Sequence, residues 1–323
     1  MDLHLLTTNL TNPTLLFFLL GVLAKALRSD LEIPAASIKF ISLYLLFSIG
    51  FNGGQELAHS GVDATILRCL ALGLGLAAVI PLYTFFALRA RLGAQNAGAI
   101  AAAYGSVSAV TFVAATGFLE ARQLPFGGHM VATMALMESP AIIVGVVLLL
   151  RFDRSGGERA SLRDVLHHSL TNGSVLVLLG SLLIGAVADA KQAEGIRPFT
   201  TDIFKGFLAV FLLEMGMVTA ARISALRSYG AWPFVAALIL PLVNGCAGAL
   251  ASSWATEAVG DRFMFAVLAA SASYIAVPAA MRLAAPKADP GLYIPMALGL
   301  TFPLNITMGM PLYLALVERT SSP

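Results

Sequence analysis

The chain has 323 residues, of which 58% are hydrophobic and 12% charged. A water-soluble domain carries about 25% charged residues, so this composition excludes a soluble globular fold and requires an integral membrane protein. The formal net charge of +2 is too small to suggest nucleic acid as a partner.

A membrane span takes about 20 apolar residues. On that criterion ten spans are expected: Pro13–Leu27, Pro34–Gly53, Ile66–Leu88, Ala97–Leu119, Met130–Leu150, Val175–Ala190, Ile203–Ala221, Trp232–Trp254, Phe263–Leu283 and Gly291–Leu316. The opening Met-Asp-Leu-His has no basic segment, so a cleaved signal peptide is not expected. Cys69 and Cys246 fall in apolar runs and read as buried free thiols.

One polar stretch, "FDRSGGERASLRDVLHHSL", divides the chain into five spans plus five. It reads as a linker over residues 152–170, with a short helix starting near Ser161. The pair His167-His168 reads as a solvated loop feature, because no third metal ligand is near in sequence. Ten spans put both termini on one side. The opposite side collects 13 of the 20 Lys and Arg residues, among them Arg89, Arg91, Arg151 and Arg222. The positive-inside rule then places the linker in the cytoplasm and both termini outside. The setting is the cell (inner) membrane.

The halves, residues 1–151 and 171–323, resemble each other. "SIGFNGGQEL" in the second span matches "EMGMVTAARI" in the seventh. "YGSVSAVTFVAA" in the fourth aligns without a gap on "AASASYIAVPAA" in the ninth, so Ser106 falls on Ser271 and Ser108 on Ser273. "ESPAI" in the fifth lies where the tenth has "TFPLNI", with Pro140 opposite Pro303. Five is an odd number, so the second half enters the membrane the other way up, as in inverted-repeat transporters.

The fourth and ninth spans place small and polar residues where lipid is deepest, and Pro278 is expected to disrupt the ninth. Two interrupted helices crossing at the midplane would present helix N-termini to an anion, and carbonyls and hydroxyls to a small cation. The plainer alternative is serine packing and back-bonding within the helices.

Intramembrane carboxylates are expensive and usually functional. Glu138 is expected at a coupling-ion or proton site, since Pro140 beside it frees backbone groups. Glu214 reads equally as an interdomain contact. Asn305, Ser108 and Ser273 join Glu138 as coupling-ion candidates, and Asn244 reads as polar glue between helices. Phe112 and Tyr274 can fill space beside the breaks. No Gly-x-Ser-x-Gly motif, paired catalytic aspartates or His-rich cluster points to an enzyme, and a channel fits interrupted inverted helices poorly.

These segments resemble the sodium-dependent bicarbonate transporter family of the SbtA type. The resemblance runs over nearly the whole chain and is strongest in "IGFNGG", "YGSVSAVTFVAA", "MESPAI", "MGM" with Arg222-Ile223, and the run from Ser271 to Tyr313. It implies an all-α fold of ten transmembrane helices, a 5+5 inverted repeat with two crossed broken helices. A gate domain would comprise spans 1, 2, 6 and 7, and a core domain spans 3–5 and 8–10. It also implies a homotrimer, elevator-type sodium-coupled bicarbonate import with no cofactor beyond Na+, and a PII-like regulatory partner. By position, substrate contacts would fall on Gly105, Ser106, Ser108, Thr111, Ser271, Ser273, Tyr274 and Ile275. The chain departs from the family where Tyr274 replaces Asp, Ala276-Val277 replaces Ser-Gly, and Ala109-Val110 replaces Gly-Ser. A less polar pocket follows, compatible with another small anion, such as an organic carboxylate coupled to Na+ or to H+ through Glu138.

Overall fold

The computed structural model describes residues 13–60, 63–153, 167, 171, 173–226, 229–274 and 276–321. Among them every regular element is helical. The expected linker helix near Ser161 and His168 lie outside the described residues; His167 is exposed. In chain order the helices are α1 (Pro13–Ala26), α2 (Ala35–Ser60), α3 (Ala64–Gly105), α4 (Ala109–Glu120), α5 (His129–Phe152) and α6 (Gly173–Val187). There follow α7 (Phe204–Leu226), α8 (Ala231–Ala251), α9 (Val259–Ala270), α10 (Ala276–Ala284) and the long run α11 (Pro290–Ser321).

Six helical runs are long and apolar enough to cross a membrane, and α6 and most of α1 are shorter apolar helices. At 14 residues, α1 rises about 21 Å, less than the ~30 Å hydrocarbon core. Large apolar side chains such as Leu16, Leu20 and Leu23 on α1, and Leu183, Ile184 and Val187 on α6, are exposed. A water-soluble surface does not carry such a band, whereas lipid covers it at no cost.

The expected loop between the third and fourth spans is reduced to one residue. Helix α3 runs for 42 residues with a single non-helical point, Gly93, at φ 75° and ψ 165°. That left-handed φ suits glycine. Its two arms fold back on each other, because a Cβ on Gly105, twelve positions after the kink, would meet the ring of Pro81, twelve positions before it.

Two tight helix pairs form one side of the bundle. Helix α1 packs on α7, and α2 on α6. In each pair glycines let the backbones touch: Gly21 lies on the Leu213 carbonyl and Gly216 on that of Phe18, while Gly54 lies on the Leu182 carbonyl and Gly185 on that of Phe51. Close backbone approach replaces the hydrophobic driving force that lipid does not supply.

The other side packs α3 on α5, and α8 on α9 and α11. Tyr104 and Thr301 share a hydrogen bond of 2.7 Å, and Thr301 Oγ1 donates to the Ala237 carbonyl at 2.9 Å, tying α3, α11 and α8 together. Arg262 is 2% exposed. Its guanidinium donates to the Ala249 carbonyl at 3.2 Å and to Thr320 Oγ1 at 2.7 Å. It therefore sits at the negative ends of α8 and α11, which stabilise a cation. Helix α11 widens into π turns at Pro295–Thr301 and Asn305–Gly309, near prolines that cannot donate to a regular α ladder.

Pro278 does not break the ninth span at its middle, as its position had suggested. The chain leaves the helix earlier, after Ala270, and Pro278 lies in the first turn of α10, where its missing N–H needs no intrahelical partner. The small residues at 271–273 take the non-helical backbone instead. Pro140 likewise lies inside a continuous α5. Both cysteines are free; Cys69 is buried and Cys246 half-buried.

Candidate functional site

The expected interruptions are both present. Helix α3 ends at Gly105, and α4 begins at Ala109 with Ser108 as its N-cap, whose hydroxyl accepts from the Thr111 N–H at 3.2 Å. Helix α9 ends at Ala270, and Ser271 is extended at φ −77° and ψ 164°. Serine can hold such ends because its hydroxyl stands in for the lost helical partner.

The two breaks cross and satisfy each other. The Ser108 N–H donates to Ser271 Oγ at 3.0 Å, and the Ser273 N–H donates to the Ala103 carbonyl at 2.8 Å. Ser271 Oγ donates onward to the Leu268 carbonyl at 2.9 Å. A backbone that leaves the helix in an apolar environment must find such partners.

Beside the crossing lies a cavity of about 40 Å³, room for two or three waters or one small ion. One wall comes from α2, α6 and α7: Ser42, Leu45, Leu46, Ser174, Leu178 and Phe211. The other comes from the breaks, α4 and α5: Val107, Ser108, Val110, Val113, Met134, Glu138, Ser273 and Tyr274. No Lys, Arg or His lines it among the described residues. Its charged side chain is Glu138, and its fixed positive element is the N-terminus of α4.

The cavity thus brings together Ser108, Ser273, Tyr274 and Glu138 of the expected residues. Gly105, Ser106, Thr111 and Ser271 are buried behind it. Ser106 Oγ donates to the Glu138 carbonyl at 3.4 Å, which joins the first break to α5. Ile275 lies outside the described residues. Asn305 is not in the lining: its amide donates to the Ala270 carbonyl at 2.9 Å and its oxygen accepts from the Tyr313 hydroxyl at 3.0 Å. The amide thereby holds the end of α9 in place, and the oxygen is held by Tyr313. Asn244 accepts from the Tyr83 hydroxyl, linking α8 to α3. Glu214 is half-buried on α7 and away from the cavity lining. Tyr274 sets its ring edge-on to Phe302, with centroids 6.5 Å apart, and its hydroxyl lies 4.0 Å from Met215 Sδ.

A second cavity of about 330 Å³ follows the same helices towards the other end of α2 and α4, lined by Asn52, Glu56, Thr116, Glu120 and Thr201 among others. Glu120 pairs with Lys205 of α7 at 3.1 Å; both side chains are more than half exposed. Nearby, Asp261 accepts from the Gly127 N–H at 2.6 Å and lies 3.4 Å from His129 Nε2. Sequence reasoning did not find this pair. Asp261 precedes an apolar run and looks like an ordinary span end, while its burial depends on a loop more than a hundred residues away. Ser42, Ser174 and Phe211 were missed for a related reason. Nothing in their own spans marks them, and only the packing of α2, α6 and α7 turns them to the breaks.

A family model described as the Na+-dependent bicarbonate transporter superfamily matches residues 13–318. No curated protein matches the chain.

Proposed function

The chain belongs to the Na+-dependent bicarbonate transporter superfamily, and from that membership we propose that it is a secondary active transporter importing a small anion, bicarbonate first, together with Na+. It is a multi-pass membrane protein of a transporter family. The observation that carries the reading is the cavity at the crossed breaks, which sets Glu138 beside Ser108, Ser273 and the N-terminus of α4. The helix N-terminus offers free N–H groups to an anion. A carboxylate without a basic partner in an apolar wall calls for a bound cation or a proton. The lining therefore combines a helix end that attracts an anion with a carboxylate that attracts a cation or proton, the pairing of chemistries cotransport uses.

We extend the proposal to the architecture. Residues 1–151 and 171–323 form ten spans as a 5+5 inverted repeat, with residues 152–170 as the cytoplasmic linker and both termini outside. The gate comprises spans 1, 2, 6 and 7, and the core spans 3–5 and 8–10. The glycine-lined pairs α1–α7 and α2–α6 support that division, because within each pair the two backbones are in close contact. The cavity lies between the two groups, where an elevator movement of core against gate would expose it alternately. A homotrimer and a PII-like regulatory partner complete the proposal.

A second reading is a Na+- or H+-coupled transporter of a small organic carboxylate. The lining favours it: Leu45, Leu46, Val110, Val113, Phe211 and the Tyr274 ring offer apolar surface that bicarbonate does not use.

Uptake of radiolabelled bicarbonate into proteoliposomes, with and without an inward Na+ gradient at fixed pH, separates the two. Sodium-dependent accumulation supports bicarbonate import. No accumulation by folded protein rejects it and moves the search to small carboxylates with Na+ or H+ gradients.

A further inference from the structure

Three guanidinium groups gather at one end of the bundle, where α3 bends, α5 ends and α8 begins. Arg89 lies 4.8 Å from the Phe86 ring centre and 4.7 Å from that of Phe152. Arg151 lies 5.8 Å from Phe152, and Arg91 lies 4.0 Å from Trp232. Phe152 is thus shared, and Arg89 of α3 and Arg151 of α5 form one strip with it, while Arg91 stacks instead on Trp232 of α8. None of them makes an ion pair among the described residues. The acid next in the chain, Asp153, accepts from Gln95 at 2.5 Å. Trp232 Nε1 is buried without a hydrogen-bond partner.

A guanidinium stacked flat on an aromatic ring keeps its in-plane donors. Those donors match phosphate oxygens, two at a time. Towards the membrane interior, Leu82, Val147 and Val235 on the same three helices are exposed. The strip therefore has cations at the level where the spans end and uncovered apolar surface beneath them. We propose that it is a binding site for an anionic phospholipid, with Arg89 and Arg151 on the headgroup phosphate and the apolar residues against the acyl chains. Free phosphate would use the arginines alone, and the exposed apolar surface selects the lipid. The site is independent of what the protein transports.

Native mass spectrometry of the whole protein, released from an equal mixture of phosphatidylglycerol and phosphatidylcholine, tests the proposal without any variant. Preferential retention of phosphatidylglycerol is expected; equal retention of the two lipids overturns it. Arg89→Gln and Arg151→Gln should each weaken retention about five-fold, while Lys205→Gln at the other end should leave it unchanged. Undiminished retention in the Arg89→Gln, Arg151→Gln double variant would place the lipid elsewhere and overturn the site. In a parallel melting experiment, phosphatidylglycerol should raise the melting temperature and inorganic phosphate should not. An equal rise with phosphate removes the lipid from the assignment.

Discussion

The backbone N–H of Ser108 donates to the hydroxyl of Ser271, 163 residues away, at 3.0 Å. The first broken helix is therefore closed by the second. Each break exposes backbone groups that lipid cannot satisfy, and the crossing supplies their partners. An interruption that would be costly in one helix becomes stable when two meet.

From this, Ser271 and Ser273 should behave differently. Ser271→Ala leaves the Ser108 N–H buried without an acceptor, and we predict a loss of about 1–3 kcal/mol of stability, read as a lower melting temperature in detergent. Ser273→Ala and Ser108→Ala remove hydroxyls that face the cavity, and each should raise the apparent substrate KM about two- to tenfold. If neither serine changes KM, the site is not at the breaks.

Glu138→Gln keeps the size of the side chain and removes its charge. We predict that coupled uptake falls to background while the protein stays folded and keeps its oligomeric state. Measuring uptake against Na+ and against pH in that variant decides the matter: ordinary ion dependence would take Glu138 out of the mechanism.

The helix pairs give a packing prediction. A side chain at Gly54 would strike the backbone of α6 at Leu182 and Ala186. Gly54→Leu should force α2 and α6 apart and destabilise the protein by about 1–3 kcal/mol or more, seen as reduced folded yield. At Gly75, where nothing lies within 4 Å, the same substitution should be tolerated.

Outside the spans, the Tyr229 hydroxyl donates to the Asp289 carboxylate. Asp289 in turn caps α11 by accepting from the Gly291 N–H at 2.8 Å. That hydrogen bond first, then burial and the negative charge of Asp289, pushes the Tyr229 pKa up to about 12. The sign follows from the neutral phenol being the favoured form. Its contribution to stability is fully present below pH 10, the ordinary tyrosine value, and is lost as pH rises through about 12. The melting-temperature difference between wild type and Tyr229→Phe should therefore shrink over that window; a difference constant to pH 12.5 would contradict the assignment.

Much of this architecture is written along the chain. That the chain consists of long apolar helical runs follows from its composition, because a bilayer core selects such runs. The breaks are legible because Ser106, Ser108, Ser271 and Ser273 put hydroxyls where lipid-facing helices carry apolar residues. Glu138 is legible because a carboxylate in such a run is expensive. The resemblance to a family is likewise carried by short motifs that can be read without coordinates.

Other features depend on parts of the chain far from one another. Asn305 lies beside Pro303 and reads as a candidate ligand, yet both ends of its side chain bond to α9 and to Tyr313. Pro278 reads as the breaker, yet the helix has already ended before it. Local sequence says only that the helix is weak somewhere in this stretch, and the partner across the crossing decides where the weakness is used. The same holds for Ser42, Ser174 and Phe211, ordinary residues of their own helices that become cavity wall when α2, α6 and α7 pack beside the breaks. Composition and periodicity act within a helix, so the sequence alone determined the membrane class, the apolar helical runs and the interruptions. Satisfaction of backbone groups acts between helices, so only the tertiary structure decided which side chains close the breaks and which face the cavity.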